Sequence, residues 1–165
     1  MNRLHTALPL FSCMDSTAAK PFYVINDGVM GGVSSSRVYH DDEALVFAGT
    51  VSLEHNGGFA SCRTPVSIPG NAQSLRVDLR GDGRRYKLVL KLADVNASWQ
   101  YQAAFQTSAE RQTLRFLPQD FAASFRGRRV EAPPLDFARV GSLGVLISDR
   151  QAGVFRLKLY GVYAE

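Results

Sequence analysis

The stretch that organises this chain runs from residue 22 to residue 36 and reads Phe22-Tyr-Val-Ile-Asn-Asp-Gly-Val-Met-Gly-Gly-Val-Ser-Ser-Ser36. It contains three glycines among apolar residues: Gly28, Gly31 and Gly32. Glycine reaches positive φ at little steric cost and lets another backbone segment approach closely. Asn26 and Asp27 can hydrogen-bond to their own backbone and favour turns. We therefore predict a constrained structural loop here, in which Val29 and Met30 form a buried plug at one end of the core.

After this loop, apolar residues recur at every second position, which is the period of a half-buried β-strand. Leu75, Val77 and Leu79, for example, alternate with charged residues, so this strand is predicted to have one solvated face. The predicted strands lie near residues 37–39, 45–53, 59–64, 75–80, 85–92, 99–106, 114–116, 143–147 and 155–163. The pattern breaks between residues 119 and 141, where Asp136 is predicted to cap one helical turn that ends at Arg139.

Turn residues separate the predicted strands. Asn56-Gly57-Gly58 and Asp82-Gly83 are sequences that favour β-hairpins, so we predict a hairpin at each. Seven or more short strands with almost no helix favour an all-β fold, an antiparallel β-sandwich. The 165 residues suit one domain. Residues 22–165 are predicted to form the sandwich, and residues 1–21 to form an N-terminal segment that docks on it through Leu8, Leu10 and Phe11.

Composition narrows the class of protein. The net charge of +4 favours anionic partners but is too small to indicate nucleic acid. Two cysteines, Cys13 and Cys62, match neither a disulfide framework nor a zinc site, so we predict reduced thiols and a cytoplasmic protein. No apolar run approaches the ~20 residues that a transmembrane helix needs. The apolar stretch at residues 7–11 is too short for a secretion signal.

No catalytic motif is legible in the sequence. It contains no nucleophile elbow, no zinc-protease motif and no phosphate-binding loop followed by a helix. Its three histidines are far apart: His5, His40 and His55. We therefore predict no enzyme activity and no cofactor. Asp41-Asp42-Glu43 could hold calcium through carboxylate oxygens or could be the acidic tip of a hairpin; its spacing matches no specific calcium motif, and no metal site is predicted.

Arginines flank two of the predicted turns: Arg80, Arg84 and Arg85 at one, and Arg126, Arg128 and Arg129 at the other. Guanidinium groups bind carboxylates and phosphates through paired N–H donors. If the two turns converge, these arginines would form a rim that binds an anionic partner. Alternatively, they are solvated loop charges with nearby acidic partners such as Asp82 or Asp120.

Two aromatic residues, Trp99 and Tyr101, lie on the same side of one predicted strand. Aromatic rings on the face of a sandwich can stack on a sugar ring or anchor a partner protein, whereas buried rings fill the core. The opposite face carries three glutamines, which we interpret as a polar contact surface: Gln100, Gln102 and Gln106.

Several motifs occur in the order and form of one known family. They are Asn26-Asp-Gly-Val-Met-Gly-Gly-Val-Ser34, Phe47-Ala-Gly-Thr-Val-Ser-Leu53, Asn56-Gly-Gly-Phe-Ala60, Arg80-Gly-Asp-Gly-Arg-Arg-Tyr86, Phe125-Arg-Gly-Arg-Arg129 and Gln151-Ala-Gly-Val-Phe-Arg156. From about Phe22 to Tyr163 the chain closely resembles the complex I intermediate-associated protein 30 family. The resemblance implies a galactose-binding-domain-like jelly roll, akin to carbohydrate-binding modules, and a non-catalytic role. Mitochondrial relatives act as chaperones in the assembly of respiratory complex I.

The chain differs from some members of that family. It carries neither an Arg- and Ser-rich transit extension nor a fused nucleotide-binding reductase domain, so we expect a stand-alone bacterial homologue. The leading expectation is a chaperone-like assembly factor that binds another protein, with respiratory-chain subunits as the partners that the resemblance implies. The alternative is a carbohydrate-binding module in which Trp99 or Tyr101 stacks on a sugar. No nucleic-acid partner and no transmembrane segment are expected.

Overall fold

The computed structural model describes residues 7–12, 22–94 and 96–165. Within this part of the chain there are 13 strands and four short 3-10 turns. The strands are β1 (Leu8–Ser12), β2 (Tyr23–Asn26), β3 (Ser35–His40), β4 (Leu45–Val51), β5 (Ala60–Pro65), β6 (Leu75–Arg80), β7 (Arg85–Leu92), β8 (Gln100–Gln106), β9 (Arg111–Phe116), β10 (Ala122–Phe125), β11 (Arg128–Arg129), β12 (Val140–Ile147) and β13 (Gly153–Ala164). No helix among the described residues has the length and apolar character needed to cross a membrane.

The strands form two antiparallel sheets. In the six-stranded sheet the order is β3-β4-β13-β6-β9, and β1 pairs with the far end of β13. In the seven-stranded sheet the order is β11-β10-β8-β7-β12-β5-β2. The predicted all-β antiparallel sandwich is therefore confirmed.

The inner faces of the two sheets meet in one hydrophobic core. Leu75, Val77 and Leu79 of β6 are at most 2% exposed, and the charged residues between them face outward, as the alternation predicts. Aromatic rings span the two sheets, with the Tyr86 ring centroid 6.5 Å from that of Phe155. Burying each such side chain contributes ~1.5–3 kcal/mol to stability, so these alternating positions hold the sandwich together.

Both predicted hairpins are wrong. The Asn56-Gly57-Gly58 segment lies between β4 in the six-stranded sheet and β5 in the seven-stranded sheet. The Asp82-Gly83 turn likewise leads from β6 in one sheet to β7 in the other. Turn residues reverse the chain direction in both cases, but a reversal can lead to the facing sheet as readily as to the neighbouring strand. These segments therefore lie at the ends of the sandwich, where the chain passes between layers.

Besides β1, three short strands were not predicted from the sequence. β10 and β11 form a hairpin inside the segment where the alternation breaks, and its turn residues, Arg126 and Gly127, both have positive φ. β2 lies within the predicted loop and pairs with β5 at the edge of its sheet. Strands of two to four residues contain too few positions to show a period of two.

Acidic side chains cap two turns. The helical turn predicted after Asp136 is confirmed at Phe137–Arg139, where the Asp136 carboxylate accepts a hydrogen bond from Ala138 N at 3.0 Å. Asp41 lies at the tip of the β3–β4 hairpin, and its carboxylate accepts hydrogen bonds from Glu43 N at 2.8 Å and from the next backbone N–H at 2.7 Å. The acidic-tip alternative thus describes the position of this cluster.

The start of the chain contributes to the six-stranded sheet. β1 pairs with β13, and Leu10 and Phe11 pack against the core, whereas Leu8 is half exposed. Residues 1–6 and 13–21, which make up the rest of the predicted docking segment, lie outside the described residues. So do the side chains that carry three other expectations: those of Cys13, Val29 and Met30.

Candidate functional site: a groove on the seven-stranded sheet

The predicted structural loop is built around one buried carboxylate. Asp27 has no solvent-exposed surface and begins a short 3-10 turn. Its carboxylate accepts hydrogen bonds from Ser34 N at 2.9 Å, from the Ser34 hydroxyl, and from Gly58 N at 2.8 Å. The Ser34 hydroxyl oxygen accepts a hydrogen bond from Ser52 N at 2.9 Å. One side chain therefore joins the loop at residues 27–34 to the connection at residues 52–58.

The charge of Asp27 is stabilised by hydrogen bonds. Burial by itself would raise the pKa of this carboxyl, because a low-dielectric environment disfavours the ionised form. The hydrogen bond from the Ser34 hydroxyl and those from backbone groups of Gly58, Ser34 and Phe59 outweigh burial and lower the pKa below its usual value. Asp27 is therefore ionised at neutral pH.

Two glycines allow the backbone to approach Asp27. A Cβ on Gly32 would lie 2.4 Å from Asp27 Cγ, and a Cβ on Gly57 would lie 2.5 Å from its Oδ2. Gly31 ends the 3-10 turn with a φ of 86°, which favours glycine. A Cβ on Gly28 would meet no atom within 4 Å. The predicted glycine loop is thus required mainly for contact with the carboxylate.

The same loop also fixes the position of two neighbouring segments, the connection at residues 58–59 and the start of β3. Asp27 N donates a hydrogen bond to Phe59 O at 3.2 Å, next to the contact between the Asp27 carboxylate and Gly58. Asn26 Oδ1 accepts a hydrogen bond from the Ser36 hydroxyl at 2.7 Å, which joins the end of β2 to β3. Asp27 therefore holds the connection that contains Gly58 and Phe59 through both its backbone N–H and its side chain.

The outer face of the seven-stranded sheet carries a groove of about 630 Å³. One wall contains Asn56 and Phe59, from the connection that Asp27 holds. The opposite wall is the β10–β11 turn, with Arg126 and Gly127. The floor consists of side chains on or next to β7, β8 and β12: Lys87, Gln100, Gln102, Leu146 and Ser148.

The polar side chains of the groove floor differ in whether their hydrogen-bonding groups are already paired within the protein. The Lys87 ammonium donates hydrogen bonds to the Ser148 hydroxyl at 3.3 Å and to the Asp149 carboxylate at 3.2 Å. Gln102 makes no side-chain hydrogen bond within the described residues. A primary amide can donate and accept at once, so Gln102 offers both functions to a ligand in the groove.

A smaller depression of about 190 Å³ extends the groove toward β2. The two share Phe59, Gln100 and Leu146, and the extension adds Ile25 and Arg63. The Arg63 guanidinium donates a hydrogen bond to Gln100 Oε1 at 3.2 Å, which orients that amide. In the combined site, the part toward β2 has apolar surface and the Arg63 guanidinium, and the part toward β10 has amide groups and the cationic Lys87 and Arg126.

The two predicted arginine clusters do not converge. β8 pairs with Arg85 of β7 at its Gln106 end and with Ser124 of β10 at its Gln100 end. Six residues of extended strand separate these ends, a distance of about 20 Å. A single rim formed by both turns is therefore not present.

The arginines of the two clusters have separate environments. Arg80 points outward from the six-stranded sheet. Arg84 is partly buried and donates a hydrogen bond to Gln151 O at 3.0 Å, which holds the connection between β12 and β13. Arg126 alone among the six lines the 630 Å³ groove. The remaining three are exposed residues of the seven-stranded sheet: Arg85, Arg128 and Arg129.

The two aromatic candidates lie against the core. Tyr101 is 3% exposed, and its hydroxyl donates a hydrogen bond to Pro133 O at 2.7 Å. Trp99 precedes β8 and packs partly buried against the core, with its Nε1 buried and without a hydrogen-bond acceptor among the described residues. For Tyr101, the structure therefore shows core packing, which was the alternative to a role in stacking on a ligand. The aromatic residue at the groove is Phe59, whose only signal in the sequence was its place in the Asn56-Gly-Gly-Phe motif.

The site offers groups for binding. Among the described residues, no three His, Cys, Asp or Glu side chains gather in a way that could hold a metal ion. Cys62 lies beneath the extension of the groove, and burial raises the pKa of its thiol to about 12, which suppresses the nucleophilic thiolate. The groove presents hydrogen-bond donors and acceptors, two cationic groups and apolar surface.

Solved structures with this architecture include several that bind carbohydrate. A family 11 carbohydrate-binding module from Clostridium thermocellum, solved in complex with a mixed-linked tetrasaccharide, superposes with a TM-score of 0.60 at 10% identity over 87% of this chain and 86% of that one. A mutant of the module CBM29-2 gives a TM-score of 0.56 at 13% identity, over 97% and 91% of the two chains. The agarase AgWH50C gives 0.62 at 12% identity over 96% of this chain and 24% of the enzyme. The galactose-binding-like jelly roll is therefore confirmed as the fold.

Sequence comparison identifies the family. A protein of Schizosaccharomyces pombe is 25% identical over 182 residues, which cover 95% of this chain and 83% of the yeast protein. The family model for complex I intermediate-associated protein 30 matches residues 11–159. The resemblance noted in the loop and turn motifs thus extends through both sheets, and the chain belongs to the complex I intermediate-associated protein 30 (CIA30) family.

Proposed function

We propose that this protein is a non-catalytic binding module of the assembly-factor kind, which holds a segment of a partner protein in the groove of the seven-stranded sheet. The observation that carries the proposal is the groove itself: the Gln102 amide on its floor has no partner among the described residues, and its wall is fixed by the buried Asp27. Membership of the CIA30 family supports subunits of respiratory complex I as the partner. The proposal includes a cytoplasmic location, which reduced cysteines favour.

The chemistry of the groove suits a polypeptide. Peptide groups present one donor and one acceptor per residue, and the amides of Gln100 and Gln102 can match both. Phe59 and Leu146 supply apolar surface for side chains at the other end of the site. Arg126, in the wall of the groove, would bind acidic residues of the partner. Arg85 and Arg128 lie outside the groove and have no such role in the proposal.

Affinity purification from the native cell tests this function. The tagged wild-type chain is expected to recover complex I subunits, and the double variant Lys87→Ala/Gln102→Ala is expected to lose them. The matched control is Lys91→Ala/Gln73→Ala, which removes the same two residue types outside the groove. Equal recovery with the groove variant, or the absence of complex I subunits from the wild-type sample, would contradict the proposal.

A carbohydrate ligand is the second candidate, because the same fold in two of the solved structures belongs to carbohydrate-binding modules. In this chain Phe59 would supply the aromatic contact and the groove glutamines would bind sugar hydroxyls. Isothermal titration with mixed-linkage glucan oligosaccharides should then give binding that Phe59→Ala abolishes. Binding by neither protein would remove this candidate while leaving the polypeptide proposal intact.

A further inference from the structure

The outer face of the six-stranded sheet carries a row of cations that the groove does not use. In the antiparallel register, Arg80 of β6 lies directly opposite Lys158 of β13 on one side and Arg111 of β9 on the other. Side chains at such positions lie about 4.5–5.5 Å apart at Cβ, and like charges placed there destabilise a sheet. The row therefore needs negative charge from elsewhere.

Nearby acids compensate only some of these cations. The Lys158 ammonium pairs with the carboxylates of Asp41 at 3.0 Å and Glu43 at 3.5 Å. In the part of the chain that the structure describes, neither Arg80 nor Arg111 makes an ion pair. A pair of exposed guanidinium groups across β6 and β9 thus remains without a counter-charge.

A second cross-strand arginine pair shows how this sheet compensates like charges. Arg76 lies opposite Arg115 on the same two strands. Glu165 lies between them, with Oε1 2.8 Å from Arg76 Nη1 and Oε2 3.1 Å from Arg115 Nε. The carboxylate bridges both guanidinium groups. No equivalent acid bridges the Arg80–Arg111 pair among the described residues.

Arg111 is held in place by an aromatic ring. Its guanidinium carbon lies 3.9 Å from the centroid of the Tyr160 ring, a cation–π contact. Tyr160 lies where the register of β13 against β6 shifts between Leu159 and Gly161, and such bulges redirect side chains. Stacking fixes the plane of a guanidinium and leaves the N–H donors at its edge free for an anion.

We propose that Arg80 and Arg111 form a binding site for a phosphate group. The pair carries a charge of about +2 that matches the charge of about −1.5 to −2 on a phosphomonoester at neutral pH. Paired guanidinium groups donate several N–H hydrogen bonds in the geometry that phosphate oxygens accept. The site lies on the sheet opposite the groove, so a protein segment and a phosphate-bearing molecule could bind at once.

Thermal unfolding with inorganic phosphate tests the site. At matched ionic strength, phosphate should raise the unfolding midpoint of the wild-type protein above its value in chloride. The double variant Arg80→Gln/Arg111→Gln should lose this increment. The control Arg128→Gln/Arg129→Gln, which removes the same charge from the other sheet, should keep it. Equal midpoints of the wild type in phosphate and chloride, or an increment that survives in the first variant, would overturn the proposal.

A phosphate-free measurement checks the premise. Arg80→Gln removes the central like charge of the row, so its unfolding midpoint at low salt should rise above the wild-type value. A fall would show that the arginine row is structurally favourable by itself and would overturn the argument for a missing anion.

Vesicle flotation identifies the source of the phosphate. If wild-type protein floats with phosphatidic acid vesicles but not with phosphatidylcholine vesicles, and the double variant does not float, the site binds a lipid headgroup. If phosphate raises the midpoint but no vesicle binds, the site takes a free phosphorylated molecule. Both results retain the phosphate site.

Discussion

Replacing Asp27 with asparagine should be strongly destabilising, even though the two side chains have nearly the same shape. The carboxylate accepts hydrogen bonds at both oxygens, from Ser34 at Oδ1 and from Ser34 and Gly58 at Oδ2. An asparagine must turn its NH₂ group toward one of these positions, where it meets another donor. At least one buried N–H group is then left without an acceptor.

The size of the effect follows from this geometry. An orphaned buried donor costs about 1–3 kcal/mol, and each hydrogen bond that loses an ionised acceptor weakens by about 1 kcal/mol. The variant Asp27→Asn should therefore lose about 3–5 kcal/mol of a total that is typically 5–15 kcal/mol. Urea denaturation measures the change. Asp42→Asn, at an exposed position of the β3–β4 hairpin, is the matched control and should change the stability by less than about 0.5 kcal/mol.

Acidification provides an independent check on the same variant. The pKa of Asp27 is lowered in the folded protein, so its contribution is complete above the unfolded pKa of about 3.9 and is lost as pH falls through the folded pKa. The stability difference between wild type and Asp27→Asn should be constant from neutral pH to about pH 5 and should shrink at lower pH. A difference below about 1 kcal/mol at neutral pH, or one that does not shrink in acid, would refute the role given to this carboxylate.

In a Cys13→Ser background, Cys62 should react with a thiol reagent only after unfolding, because burial raises its pKa to about 12; rapid labelling of the native protein would contradict this. Tyr101→Phe should lower the free energy of unfolding by about 1 kcal/mol, since the hydrogen bond from the Tyr101 hydroxyl to Pro133 O is lost. An unchanged urea midpoint would show that this hydrogen bond does not contribute to the stability of the folded protein. Gly49→Ala should cost more than about 2 kcal/mol, because a Cβ there would lie 2.0 Å from Ser35 O on the adjacent strand. Wild-type stability for that variant would mean that β3 and β4 are less tightly paired than the structure shows.

The strands were predictable because a local pattern determines them. Leu75, Val77 and Leu79 alternate with charged residues, and burial follows that alternation directly. The assignment of strands to sheets was not predictable in the same way. Asp82-Gly83 has the residues of a hairpin turn, yet its two flanking strands pair with β13 and β12 in different sheets. That choice depends on partners about 50–90 residues away in the sequence, which no local motif records.

The candidate site was predictable only in part. Alternation along β8 indicated a polar face, and Gln100 and Gln102 do form the groove floor. Phe59 could not be singled out, since it reaches the groove through a contact between Asp27 and Gly58, residues 31 positions apart. The two arginine turns failed to converge for a related reason: both flank the same sheet, but at opposite ends of β8.

Strand β13 lies at the centre of the six-stranded sheet although it is the last strand in sequence. During synthesis, β4 and β6 leave the ribosome well before residues 153–164. At about 5–20 residues per second, β13 follows β6 after a delay of roughly 4–17 s. Until then each has a bare edge, of the kind that recruits other chains into aggregates. The newborn polypeptide therefore exposes these two edges until its final strand closes the gap. Any premature stop ahead of residue 153 would leave that gap permanently open.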